Sequence, residues 1–299
     1  MSIIKALLKR NVKLFFKDKG MFFTALITPM ILLVLYASFL GNIYRDSFKA
    51  SLPEGIEISD EVIEGGVGGQ LISSILAVSC VTVAFCSNML MVQDKATGAR
   101  KDLTVSPVNP SCLALSYYLA TLVSTLIICY AATGVCMIYL GIVGWYLSVT
   151  DVLMLLWDVF LLALFGTALS SVIGFFLSTN GQIAAVGSIV SSSYGFVCGA
   201  YMPISQFSQG LQSVISFFPG IYGTSLLRNH AMGGAFAAME DEGVPAEMIE
   251  GLKDAMDCNL YFFDHSVSLP TMYVILIVTI ALLLGIYVLM NWKKAAIRK

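Results

Sequence analysis

The chain has 299 residues, 58% of them hydrophobic and only 12% charged, with a formal net charge of −2 and a mean hydropathy of +0.84. A soluble globular domain is about half apolar and about a quarter charged, so this composition excludes one. Of the seven cysteines only Cys258 falls outside an apolar stretch, which implies no disulfide framework.

Residues 3–19 read as an amphipathic helix. Lys5, Lys9, Lys13 and Lys17 share one stripe, and Ile4, Leu7, Leu8, Leu14 and Phe15 fall opposite. A basic face beside an apolar one, too short to span, describes a helix lying in the headgroup plane. Apolar runs of bilayer length then predict spans at about 21–40, 71–92, 112–140, 151–177, 182–202 and 271–290. Pro29 interrupts the first, which neighbouring helices in a bilayer can accommodate. The expected fold is an all-α polytopic membrane protein with six transmembrane helices, one transmembrane domain over residues 1–299.

Basic residues orient it. The N-terminal lysines, Lys95, Arg100 and Lys101, and Lys293, Lys294, Arg298 and Lys299 all lie on one side if both termini are cytoplasmic. The loops left outside, 41–70 and 203–270, are acidic. Within the second, "VPAEMIEGLKDAMD" reads as a short surface helix with Pro245 at its start.

Enzymatic chemistry has little to stand on. His230 and His265 both fall in the second outer loop, and neither an H-E-x-x-H helix nor a G-x-S-x-G turn occurs. No catalytic or metal-binding residue is therefore assigned. A G-x-x-x-x-G-K-[ST] phosphate loop is also missing, so ATP-driven work would need a separate subunit. Asp158 is the one acid well inside a span. Such a residue marks a pathway or a partner, or else bonds a neighbouring hydroxyl or faces water. Gly187, Ser191, Gly195 and Gly199 recur every four residues in the fifth span and allow close helix packing in lipid, between two chains or within one.

The stretch "QDKATGARKDLTVSPVNP", residues 93–110, interleaves Asp94 and Asp102 with Lys95, Arg100 and Lys101, then ends at Pro107 and Pro110, which stop a helix. Its acid, glycine and Ser-Pro-Val pattern resembles the ABC-2 type permeases, the membrane subunits of ATP-binding cassette exporters. Asp94, Gly98, Ser106 and Pro107 match that pattern; Ala96 and Ala99 depart from it, leaving Lys95, Arg100 and Lys101 beside them. The resemblance implies that this segment is a coupling helix seated in an ABC ATPase subunit. A second match, "CGAYMPISQFSQGLQSVISFFPGIYGTSLLR" at 198–228, is similar to the family's re-entrant helix pair near the outer leaflet. It assigns Tyr201, Pro203, Phe218, Pro219 and Arg228 to an outer gate.

The same resemblance implies two permease chains, identical or homologous, with the small-residue row between them. ATP and Mg are expected on the partner ATPase, with no cofactor in this chain and no nucleic acid partner. The function implied is outward movement of a drug-like, peptide or lipid-like amphiphile across a bacterial cell membrane. The rival reading is a secondary transporter or channel that works without an ATPase.

Overall fold

The computed structural model describes residues 3–35, 38, 41–42, 45–46, 58–105, 108–263 and 265–296. Parts of the expected first span and first outer loop, and both Ser106 and Pro107, lie outside these. Apart from one hairpin, the described elements are helical.

Helix α1 (Ile3–Lys17) turns Leu7, Asn11 and Phe15 inward, one turn apart, and leaves Lys5, Lys9, Lys13 and Lys17 exposed. It stops where Asp18 accepts the Met21 amide at 3.1 Å and so caps α2 (Lys19–Leu35), which leaves at 74° to α1.

Helix α3 (Asp60–Ser87) is the axis of the fold. It is buried almost throughout and packs against α2, α6 (Pro110–Val143), α7 (Val149–Phe176), α8 (Asn180–Val197) and α10 (Pro219–Asp241). It begins at Asp60, inside the stretch expected as the outer loop 41–70. The misleading residues are Gly65, Gly66, Gly68 and Gly69. Glycine disfavours helix in water, but here each is buried, and a Cβ on Gly69 would stand 2.6 Å from the Ala231 carbonyl. Small residues let helices meet at backbone distance.

Beyond Asn88, α4 (Met89–Ala96) continues the direction of α3, and α5 (Ala99–Val105) follows. Asn109 then caps α6, with Pro110 in its first turn. Helix α7 opens with a capping box in which Ser148 and Asp151 satisfy each other's amides. Ser148→Ala should lower stability by about 1 kcal/mol in a denaturant titration of the detergent-solubilised chain. Past α8 come a single 3-10 turn (Ile204–Gln206), α9 (Gln209–Ile215), α10 and α11 (Ala246–Ala255). Strands β1 (Leu260–Phe262) and β2 (His265–Val267) pair antiparallel with Leu260 opposite Val267, and α12 (Leu269–Ala296) ends the fold.

Among the described residues four helices are long and apolar enough to cross a membrane, at Asp60–Ala96, Pro110–Val143, Val149–Phe176 and Leu269–Lys293, with the bent α1–α2 pair as a fifth. The expected first and fifth spans are not among the four. Described helix in α2 covers 17 residues, and α8 has 18 with a serine-rich, amide-bearing sequence. The stretch 203–270 also holds more helix than its hydropathy suggests. Its helix α10 is mostly buried, packing on α3, α7 and α12, where hydropathy alone suggested an outer loop. Its glycines carry little hydropathy but fit close contacts; a Cβ on Gly223 would meet Leu162 Cδ2 at 2.5 Å. The short helix expected after Pro245 is present as α11, with Leu252 and Met256 buried.

Candidate functional site

Chemistry-bearing side chains gather in three places. The first surrounds α4 and α5. Asp94 is buried, and its Oδ2 accepts from Arg10 Nη1 at 2.7 Å and from the Tyr117 hydroxyl at 2.6 Å. The aspartate thus joins α1, α4 and α6. Lys95 points elsewhere. Its Nζ donates to the carbonyls of Gly174, Phe175 and Leu177 at 2.6, 2.9 and 3.0 Å, satisfying acceptors that the end of α7 leaves open. Gly98 has φ of +85° and open space where a Cβ would sit, so the backbone turn between α4 and α5 requires it, not crowding. Arg100 Nη2 donates to Asn291 Oδ1 on α12 at 2.8 Å.

The residues expected to face a partner therefore divide. Asp94, Lys95 and Arg100 bond within the chain. Asp102 is exposed, and Val105 is 87% exposed at the end of α5.

The second place is the end of the bundle that carries the hairpin. Arg228 on α10 is 1% exposed; Nη1 donates to Asp257 Oδ2 at 2.9 Å, and Nη2 donates to the Gly199 carbonyl and to Ser74 Oγ. Asp257 also accepts the Ile204 amide, at 2.9 and 3.1 Å. Burial pushes the Asp257 carboxyl up, and the Arg228 charge and the Ile204 N–H pull it back down. Gly199 (φ +73°) and Asp257 (φ 54°) both hold left-handed backbone beside this pair. The pair ties α10, α3, the turn after α8 and the end of α11 into one unit. Sequence similarity singled out Arg228 but gave it no partner; Asp257 was missed, because α11 reads as an exposed acidic helix.

The other residues of this region spread around that unit. Tyr201 stacks edge-on against Phe196, with centroids 5.2 Å apart, and its ring fills the space at Gly195. Pro203 is buried, Pro219 opens α10, and Phe218 precedes it half exposed. The small-residue row is not one surface. Gly195 and Gly199 turn toward their own chain, whereas Gly187 meets nothing within 4 Å and Ser191 is half-buried.

The third place lies between α7, α10 and α12. Asp158, 1% exposed, has His230 Nδ1 at 2.6 Å from one oxygen and accepts from the Tyr273 hydroxyl at 2.6 Å on the other. The sequence isolates Asp158 and places His230 in a loop; the folded chain puts His230 on a helix against it. Among the described residues no group of three or more His, Cys, Asp or Glu could hold a metal ion.

Each arrangement ties several helices together. A family model described as ABC-2 type transporter matches residues 3–231, from the first turn of α1 well into α10. No curated protein matches the chain.

Proposed function

The chain belongs to the ABC-2 type transporter family and is a multi-pass membrane permease of an ABC transporter, and on that premise we propose that it exports an amphiphilic substrate using a separate ABC ATPase. ATP and Mg sit on that ATPase. Both termini are cytoplasmic, α1 lies along the inner headgroups, and α2 and α8 add two crossings to the four long helices, six in all. The turn after α8, α9 and the start of α10 form the outer re-entrant segment. Two permease chains enclose the path, meeting along the Gly187–Ser191 part of α8.

The observation that carries this reading is the family match over 3–231. The division within the 94–105 segment refines it: Asp94 and Lys95 brace the segment from inside, while α5 presents Asp102 and Val105 to the ATPase. Nucleotide binding would push α5 and, through α4, the axial helix α3. The substrate path then opens near Tyr201, Pro203 and Phe218.

Co-purification of tagged permease with the ATPase from the same cells tests the partnership. Val105→Glu puts a charge into the docking face and should weaken ATPase retention about tenfold, about 1.4 kcal/mol, with the permease still folded. Unchanged retention would move the docking surface elsewhere. Substrate movement by the reconstituted permease alone, without nucleotide, would establish the secondary-transporter reading instead.

A further inference from the structure

Asp158, His230 and Tyr273 come from three helices, α7, α10 and α12, and converge on one carboxyl group. The Asp158 side chain has no exposure, while 14% of the His230 side chain remains accessible. Neither ATPase docking nor the Arg228–Asp257 unit uses any of the three. We propose that they form a proton-binding site, in which one exchangeable proton is held between the Asp158 carboxyl and the His230 imidazole and fastens α10 to α7 and α12.

The reason is charge bookkeeping in an apolar setting. Leu155, Val159 and Leu162 are fully buried around the carboxyl on α7. With the proton present, imidazolium and carboxylate cancel and the hydrogen bond between them is charge-assisted. When the proton leaves, a net negative charge stays buried with only the Tyr273 hydroxyl and a neutral ring to stabilise it, which a low-dielectric interior disfavours. The accessible edge of His230 gives the proton a way in and out.

Other charged groups on the packed helices are turned away or occupied. Arg228, also on α10, is committed to Asp257, and Glu64 of α3 pairs with Arg45. On α7, Asp151 is held in its capping box, and Lys95 of α4 meets the opposite end of the helix, roughly 25 Å away. Asp60 and Glu61 of α3 and Glu240 and Asp241 of α10 are exposed, and Lys253 of α11 pairs with Glu250. From α6, Tyr130 donates to the Leu156 carbonyl, and from α3, Cys80 donates to the Val159 carbonyl; neither reaches the carboxyl. Among the described residues, His230 and Tyr273 are the side chains hydrogen-bonded to the Asp158 carboxyl.

The chain has two histidines, so His265→Gln, made in the exposed hairpin, leaves His230 as the single imidazole. Nitrogen-15 NMR of the full-length His265→Gln chain in lipid nanodiscs, titrated from about pH 5 to about pH 9, reads its protonation directly. We expect a one-proton transition. Adding Asp158→Asn should lower its midpoint, because the charge that partners the imidazolium is gone. Adding Tyr273→Phe should move the midpoint up, because an ionised carboxylate that has lost a hydrogen bond gives up the shared proton less readily. Opposite signs separate proton binding from mere packing. If Asp158→Asn does not fold, the Tyr273→Phe shift decides alone. A His230 signal that does not titrate, a midpoint indifferent to Asp158, or a downward shift in Tyr273→Phe overturns the site. Neither ATPase nor cargo enters the measurement, so its failure and failure of the export reading are distinguishable.

Discussion

Arg228→Met is expected to destabilise the hairpin end of the bundle by about 3–5 kcal/mol, the cost of stranding one member of a buried ion pair. The guanidinium is 1% exposed and reaches three partners: Asp257, the Gly199 carbonyl and Ser74. Methionine fills much of the volume but leaves the Asp257 carboxylate with the Ile204 amide as its remaining donor among these contacts. Hydrogen exchange should then show residues 199–262 opening before α6 and α7. The pH dependence has a definite sign. Burial already raises the Asp257 carboxyl, and removing Arg228 raises it further, so the folded state binds the proton more tightly than the unfolded chain. The deficit is therefore fully present at neutral pH and shrinks as pH falls toward the carboxylate range. Arg228→Met with Asp257→Asn should regain part of the loss, since no uncompensated charge is left. Equal stability of wild type and Arg228→Met at pH 7 would rule the brace out.

Asp94→Asn should reduce substrate-stimulated ATPase activity by misplacing the docking segment, with the ATPase still bound. The carboxylate holds Arg10 of α1 and Tyr117 of α6, and weakening those charge-assisted bonds costs about 1.5–3 kcal/mol. Limited proteolysis should release α1 first, and Arg10→Met should copy the phenotype. Val105→Glu predicts the reverse pattern, an intact α1 with poor ATPase retention. If Asp94→Asn loses the ATPase while α1 stays protected, Asp94 contacts the partner directly and its internal role is secondary.

Long helices were legible in the sequence, and their packing partners were not. The runs behind α6, α7 and α12 are apolar enough to be recognised by hydropathy, and each ends within a few residues of its expected limits. Helix α10 and the first turns of α3 escaped because glycines and polar residues interrupt their apolar faces: Gly65, Gly66, Gly68 and Gly69 in α3, and Gly220, Gly223, Arg228, Asn229 and His230 in α10 lower the hydropathy, while the glycines serve as close contact between helices. Residues of the 93–110 segment were legible by family pattern. Their roles were not, because Arg10 lies 84 positions from Asp94 and the carbonyls that hold Lys95 are about as far along the chain. For the same reason Asp158 could be flagged as an isolated acid without His230, 72 positions away, or Tyr273, 115 positions away.

Asp94 and Lys95 are neighbours on α4, and consecutive residues of a helix point about 100° apart. One is anchored to α1 and α6, the other to the end of α7. Two anchors on different sides of the same short cylinder hold α4 against rotation about its own axis, so any displacement of α4 would drag α1, α6 and the end of α7 along with it.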